Sequence, residues 1–274
     1  SHTPPSTYSV RRTRNVPSLL LGLLFAAYAG VAPAADVEAH QPVLVAAASD
    51  LKFALDEILL GFRAATGIEA HVTYGSSGNF ARQIAQGAPF EMFLSADEAL
   101  VDWLAERGLT RGAGDLYALG RIVVFASRGS PLEPDARLEN LARRLSDGSS
   151  GRFAIANPEH APYGRAAEQA LRALGLWEKI QPRLVLGENV AQAAQFAVGG
   201  SADGGIIAYS LALAPALRER GSFALIPETV HEPLRQRMVL LRGATPAAGQ
   251  LYDYMRSTGS RAILARYGFV LPAE

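Results

Sequence analysis

The fold is decided by residues 43–74, which read VLVAAASDLKFALDEILLGFRAATGIEAHVTY. The opening VLVAAA is an unbroken apolar run of the length of a buried strand. The next stretch, LKFALDEILLGFRAAT (51–66), carries apolar residues at helical spacing, and Gly67 is the residue type that commonly follows a helix. EAHVTY (69–74) predicts a second strand. This strand–helix–strand order is typical of parallel sheets covered by helices.

The same alternation continues along the chain. Further strands are predicted at 89–96, 121–127, 152–157, 183–188 and 204–209. Helices are expected between them, and Asp97 should cap the helix that follows the first of these strands. Zones rich in Pro and Gly, at 129–134 and 219–227, suggest that the chain crosses between two lobes. We therefore predict a two-lobed α/β protein, with mainly parallel sheets flanked by helices.

Residues 1–34 have the layout of a secretory signal peptide. A patch with three arginines at 11–14 precedes an apolar run at 16–31, and the small residues at 32–34 are placed for cleavage before Ala35. A membrane-spanning helix is the alternative, because the apolar run is not far below spanning length. The small-residue ending favours export.

The composition excludes several classes of protein. The chain has 26 Lys and Arg against 26 Asp and Glu, so it lacks the basic excess that binding to nucleic acid or an anionic membrane requires. It has no Cys, which excludes disulfides and thiolate metal sites. Nucleotide-binding glycine signatures, H-E-x-x-H and G-x-S-x-G are all missing. A hydrolase could use Ser77 with His160 and a carboxylate, but nothing in the sequence brings them together. We predict no enzymatic activity and no cofactor.

Four loops that follow predicted strands are suited to binding an anion. They are Ala48-Ser49-Asp50, Gly75-Ser76-Ser77-Gly78, NPEHAPYG at 157–164 and Glu188-Asn189-Val190. Each offers backbone N–H groups at the start of a helix, several with a hydroxyl beside them. In open parallel sheets such loops meet beyond the carboxyl ends of the strands. The alternative is that each loop is an ordinary helix cap or turn, and the residues alone leave both interpretations open.

At these loops the sequence resembles the periplasmic molybdate-binding proteins of ABC transporters. The matching segments are VAAAS (45–49), GSSGNFARQI (75–84), GAPF (87–90), FLSAD (93–97), NPEHAPYG (157–164) and RYGF (266–269). The resemblance covers nearly the whole chain after the leader, in unchanged order. It implies two lobes joined by a hinge of two crossing strands. The first lobe would comprise residues 35–119 plus 222–274, and the second residues 120–221.

Carried over by position, the resemblance implies five oxyanion-binding residues: Ser49, Asp50, Ser77, Tyr163 and Val190. The two serines would bind through hydroxyl and N–H, and Asp50 and Val190 through N–H alone. These residues would hold a metal only as its oxyanion, without coordinating it directly. Since a carboxylate repels a dianion, we expect the Asp50 side chain to turn outward into solvent.

The family offers two positions for the tyrosine that binds the anion. Some members of the family use a tyrosine at the position of Ala208, whereas in others it lies in a Pro-Tyr-Gly turn such as that of Tyr163. Tyr209 is one residue away from the first position and would face the other side of a regular strand. We therefore assign Tyr163 and keep Tyr209 as the alternative.

The resemblance implies a periplasmic, monomeric carrier that captures molybdate or tungstate and delivers it to the membrane permease of an ABC importer. It implies no nucleic-acid partner. The same fold binding another oxyanion, such as sulfate or a phosphonate, is the first alternative. An exported hydrolase or transferase is the second.

Overall fold

The structure is a computed structural model that describes residues 41–273 of the chain. The predicted signal peptide, residues 1–34, lies outside the described residues. Within the described part, no helix has both the length and the apolar character needed to cross a membrane.

Within residues 41–273, ten strands form two sheets of five. In chain order they are β1 (Val43–Ala48), β2 (Ala70–Gly75), β3 (Met92–Ser95), β4 (Asp115–Gly120), β5 (Ile122–Ser127), β6 (Phe153–Ala156), β7 (Leu184–Gly187), β8 (Gly204–Ala208), β9 (Gly221–Leu225) and β10 (Leu234–Leu240). The first sheet has the order β2-β1-β3-β10-β4, and the second has the order β7-β6-β8-β5-β9. We call each sheet with the helices that cover it the first lobe and the second lobe.

Eleven α-helices cover the sheets in the described part of the chain. They are α1 (Lys52–Thr66), α2 (Ser77–Ala85), α3 (Glu98–Glu106), α4 (Glu139–Ser146), α5 (Pro162–Ala173), α6 (Trp177–Ile180), α7 (Val190–Val198), α8 (Tyr209–Ala212), α9 (Pro215–Arg218), α10 (Pro246–Met255) and α11 (Thr258–Arg266). Short 3₁₀ turns lie at Ser49–Leu51, Gln181–Arg183 and Glu228–Val230. Asp97 caps α3 as predicted, since its side chain accepts a hydrogen bond from the N–H of Ala99.

Each sheet has four strands running in one direction and one strand reversed. In the first sheet β1 is parallel to β2 and β3, and β10 runs antiparallel between β3 and β4. In the second sheet β6 is parallel to β7 and β8, and β5 runs antiparallel between β8 and β9. The predicted fold class, two mainly parallel sheets flanked by helices, is confirmed.

The chain passes between the sheets twice. It leaves the first sheet after Gly120 and enters the second at Ile122, and it returns between Leu225 and Leu234. The predicted return near residue 222 is wrong, because β9 pairs antiparallel with β5 along its whole length. Residues 222–225 therefore belong to the second lobe. The rest of the predicted division into lobes stays a prediction.

The uniform apolar run of β1 follows from its position inside a covered sheet. Val43, Val45 and Ala47 belong to the core beneath α1, whereas Ala46 belongs to the core beneath α2 and α3. Successive residues of a strand point to opposite faces. Because helices cover both faces here, both sets of side chains are apolar, and the carboxyl end of β1 is held at a fixed place under the first loop.

Candidate functional site

A small cavity lies where the carboxyl edge of the first sheet meets the starts of α5 and α7 from the second lobe. Its lining residues are Ala48, Ser49, Gly75, Ser76, Ser77, Ala96, Ala161, Pro162, Tyr163 and Val190. None of these ten residues carries a charge. The cavity leaves about 10 Å³ for the centre of a water-sized sphere, roughly the room that one water needs.

Four of the five residues assigned from the sequence line this cavity, namely Ser49, Ser77, Tyr163 and Val190. They come from both lobes and from loops far apart in the chain. Asp50 is not among the lining residues. The structure thus brings four of the assigned residues together, and their binding of an anion stays a prediction.

Ser77 is completely buried at the first position of α2. The helix begins two residues earlier than the sequence predicted, with Ser76 in extended conformation just before it. The Ser77 hydroxyl oxygen accepts a hydrogen bond from the N–H of Ala96 at 2.9 Å. Since a hydroxyl can donate as well as accept, the proton of Ser77 remains available to a group in the cavity.

Ser49 opens the 3₁₀ turn that follows β1 and is also buried. Its hydroxyl donates to the side-chain oxygen of Asn189 at 2.9 Å and accepts from the N–H of Ala191 at 3.0 Å. Asn189 in turn caps α7 by accepting from the N–H of Gln192. The hydroxyl of Ser49 is therefore engaged by the second lobe, and it could donate to an anion only if its bond to Asn189 broke.

Val190 is the first residue of α7 and is nearly fully buried. The first N–H groups of a helix have no partner within the helix and carry partial positive charge. The position of Val190 at the cavity therefore aims the positive end of α7 at whatever the cavity holds.

Tyr163 follows Pro162 at the start of α5, and its hydroxyl reaches the crossing between the lobes. There the Tyr163 hydroxyl accepts a hydrogen bond from the side-chain nitrogen of Gln236 at 3.0 Å. The Tyr117 hydroxyl donates to the side-chain oxygen of the same Gln236 at 2.9 Å. A Cβ atom at Gly120 would overlap the Tyr163 hydroxyl, so a residue without a side chain is needed at this crossing.

The expectation that Asp50 turns outward is wrong. Its side chain is 1% exposed, and neither carboxyl oxygen makes a hydrogen bond of good geometry with the described residues, although the Gln236 and Tyr163 side chains lie beside it. Burial raises the pKa of Asp50 to about 7, a rise that the nearby side chains of Gln236 and Tyr163 only partly offset. The side chains beside the buried carboxyl group come from β10 (Gln236) and from α5 (Tyr163). We call Asp50, Tyr117, Tyr163 and Gln236 the hinge cluster.

Residues 43–270 match the family of bacterial extracellular solute-binding proteins. The chain belongs to this family. It is 34% identical over 256 residues to molybdate-binding protein ModA of Rhodobacter capsulatus, covering 92% of this chain and 93% of that protein. It is 29% identical over 230 residues to molybdate-binding protein ModA of Escherichia coli K12, covering 84% and 89%. The solved periplasmic molybdate-binding protein of Azotobacter vinelandii matches with a TM-score of 0.75 and 30% identity, covering 84% of this chain and all of that one.

Tyr209, the alternative tyrosine, is not among the lining residues of the cavity in this solute-binding protein. The predicted strand at 204–209 ends one residue early, and Tyr209 begins α8 instead. Its ring packs against that of Phe223, with centroids 5.8 Å apart. This placement favours Tyr163 over Tyr209 as a residue of the site.

The lobes of this solute-binding protein are also joined through His160, the histidine of the triad considered from the sequence. Its Nδ1 lies 2.9 Å from the hydroxyl oxygen of Ser76, not of Ser77. Its Nε2 is 3.8 Å from a carboxylate oxygen of Glu188, too far for a hydrogen bond, and the Glu188 side chain is 72% exposed. The imagined triad of Ser77 and His160 is thus not formed, and His160 serves as a contact between the lobes.

Asn189 stands in one of the four predicted loops but was not assigned to the site, whereas Gly120 and Gln236 carried no signal in the sequence. Asn189 could have been identified as a helix cap, but its bond to Ser49 joins residues far apart in the chain. Gln236 lies in β10, a strand that was not predicted.

Proposed function

We propose that this chain is the exported substrate-binding protein of an ABC importer and that it captures molybdate or tungstate. The single observation that supports this most strongly is the cavity itself. It collects a buried serine hydroxyl and the start of α7 from two lobes of a chain that shares 34% identity with a molybdate-binding protein over 93% of that protein. The proposal assigns anion binding to Ser49, Ser77, Tyr163 and Val190, with the N–H of Asp50 beside them.

The chemistry of the lining suits a fully deprotonated dianion. Molybdate carries four oxygens and no proton near neutral pH, so hydrogen-bond donors alone can satisfy it. Hydroxyl and backbone N–H groups at helix starts hold such an anion without a formal positive charge. Selection against sulfate rests on size, because the metal–oxygen bonds of molybdate are longer. Tungstate has nearly the same size, so the proposal covers both anions.

Binding would be coupled to closure of the lobes. Ser49 and Asn189, and Ser76 and His160, already bridge the lobes beside the cavity. An anion that contacts both lobes binds the closed form better than the open form and shifts the population toward it. The closed form would then be recognised by the membrane permease.

The proposal also covers the location of the protein, its oligomeric state and its lack of catalytic turnover. The layout of residues 1–34 supports export and a periplasmic location. We propose a monomer that binds without chemical turnover and without a cofactor. Sedimentation analysis of the exported chain tests the monomer, and turnover of an ester panel tests the absence of hydrolase activity.

The decisive experiment is titration calorimetry, with thermal unfolding alongside, against molybdate, tungstate, sulfate and phosphate. A ligand that binds only the folded state stabilises it by about 4 kcal/mol at a thousandfold excess over Kd. We expect large stabilisation by molybdate and tungstate and far less by sulfate. Equal stabilisation by sulfate would replace molybdate with another oxyanion, and no response to any of the four would overturn the proposal.

A further inference from the structure

The carboxyl group of Asp50 is buried behind the cavity, and no cation within residues 41–273 forms an ion pair with it. Asp50 directly follows Ser49, which lines the cavity. Its backbone carbonyl accepts a hydrogen bond from the Ser210 hydroxyl at 2.7 Å, which fixes the turn. The groups that act on the carboxyl are the Gln236 and Tyr163 side chains and the N–H groups of the turn, all of them neutral.

The charged and titratable groups on the neighbouring elements do not neutralise this carboxyl. Tyr117 of β4 and Tyr163 of α5 both have a pKa raised above its ordinary value by burial and by the charge of Asp50. α7 carries no titratable side chain. The remaining titratable side chains on the packed elements are Asp115 of β4, Arg165, Glu168 and Arg172 of α5, Lys52, Asp56, Glu57 and Arg63 of α1, His71 and Tyr74 of β2, Tyr209 of α8, and Arg235 and Arg237 of β10.

The cations in this set are directed elsewhere. The Lys52 ammonium lies 6.0 Å from the Phe53 ring and lines a separate surface groove. Arg235 and Arg237 form ion pairs with Glu98, and Arg63 pairs with Glu69. The two arginines of α5 pair with Asp97 and Glu168, and Arg121, between β4 and β5, pairs with Glu228. His71 is exposed to solvent. Nothing on the described elements therefore offsets a negative charge on Asp50.

When Asp50 is ionised, its carboxylate repels a dianion bound in the cavity and so weakens binding. Like charges a few ångströms apart repel by roughly 1–4 kcal/mol even at dielectric values typical of protein surfaces, and less solvent screens a buried pair. A protonated Asp50 has no such repulsion. The O–H of the protonated Asp50 can donate to the Tyr163 hydroxyl oxygen. The Tyr163 proton is then free to turn toward the cavity, whereas an ionised carboxylate would attract it.

We propose that the chain takes up one proton on Asp50 when it binds its anion, so that Asp50 sets the affinity by being neutral in the complex. The inference rests on the proposed oxyanion-binding function. The proton comes from the solvent and adds to a carboxylate oxygen; no other bond forms or breaks. With molybdate as the probe, the proton cannot be carried in by the ligand, which has none near neutral pH.

The test is calorimetry of molybdate binding in two buffers that differ in ionisation enthalpy, such as Tris and HEPES. The difference in observed heat counts the protons taken up. Because proton uptake and anion binding are thermodynamically linked, we expect the uptake of close to one proton near pH 8 and of almost none at about pH 5.5. For the same reason, the affinity for molybdate should fall roughly tenfold for each pH unit above about 7. Asp50→Asn should abolish the uptake and bind at least about tenfold more tightly than the wild type near pH 8.

The control is Asp102→Asn, since Asp102 is exposed on α3 and belongs neither to the hinge cluster nor to the lining of the cavity. This variant should match the wild type in proton uptake and affinity. Tight molybdate binding by the wild type with less than about 0.3 proton taken up near pH 8 would overturn this inference while leaving the proposed function intact. This result needs no variant, so the test holds even if Asp50→Asn does not fold. Absence of molybdate binding by the wild type would overturn both.

Discussion

The N–H of Gly78 donates a hydrogen bond to the backbone carbonyl of His160 at 2.9 Å. Gly78 lies in the first turn of α2 in the first lobe, and His160 lies in the loop that precedes α5 in the second lobe. A Cβ atom on Gly78 would be 2.6 Å from the same carbonyl oxygen. The two backbones therefore meet at a place where any side chain would hold the lobes apart.

Gly78→Ala should accordingly weaken molybdate binding by about fivefold or more, because an overlap with backbone atoms costs on the order of 1–3 kcal/mol in the closed form only. Each lobe should keep its fold, since the overlap exists only across the cleft. The matched control is Gly249→Ala in α10, where a Cβ meets nothing within 4 Å. Calorimetry with circular dichroism measures both effects. Equal affinity of Gly78→Ala and wild type would show that the anion is bound without this closure.

Ser77→Ala should weaken molybdate binding by roughly ten- to a hundredfold, because a hydrogen bond to a charged group contributes about 1.5–3 kcal/mol. It also leaves the N–H of Ala96 without its acceptor, so some loss of stability is expected. Ser95→Ala is the control. Ser95 is equally buried and bonds to the backbone of Asp97, but it does not line the cavity. If both variants lose stability while neither loses affinity, Ser77 is a structural residue alone.

Tyr163→Phe should weaken oxyanion binding by about tenfold, whereas Tyr209→Phe should leave it unchanged. The first change removes the oxygen that accepts from Gln236 beside the cavity. The second removes a hydroxyl from a ring that packs on Phe223, and Tyr209 is not among the lining residues. Titrations of the two variants side by side show which one loses more affinity. A larger loss for Tyr209→Phe would mean that the anion binds nearer to α8.

Asp50→Asn should stabilise the ligand-free chain more at pH 8 than at pH 5. The pKa of Asp50 is raised from 3.8 to about 7 by folding. The stabilising contribution of the bound proton is therefore complete below about pH 4 and is lost as the pH rises through 7. The neutral asparagine has no such loss, and its advantage should grow with pH toward a limit on the order of 4 kcal/mol. Thermal unfolding across this range measures the difference, and a difference that does not change with pH would contradict the burial of this carboxyl.

The strands and helices that could be predicted are those whose residues all lie in one kind of environment, because their sequence then shows a uniform pattern. Apart from Leu44 and Ser127, the residues of β1 and β5 are buried, and all but Ser127 are apolar, so both segments stand out as strands. β10 reads LRQRMVL and was missed. Its arginines are explained by Glu98 on α3, with which Arg235 and Arg237 form ion pairs, and no local pattern encodes that partner.

The residues of the site also fall into those that could be placed from the sequence and those that could not. Ser49, Ser77 and Val190 each follow a strand and begin a helical turn, so their position at the cavity could be inferred from neighbours in sequence. The burial of Asp50 could not, because Gln236 and Tyr163, which enclose it, come from a missed strand and from the other lobe. An isolated carboxylate beside an anion site is expected to face solvent, and only the assembled hinge cluster reverses that expectation.

β10 lies between β3 and β4 in the first sheet, although it is the last strand in the chain. The five strands of the second sheet lie within residues 122–225 and so are all present before β10 has been made. A polypeptide that emerges from the ribosome or from a translocation channel N-terminus first therefore holds every strand of the second sheet while β4 still lacks its neighbour. The lobe that starts first along the chain is the last that can be completed.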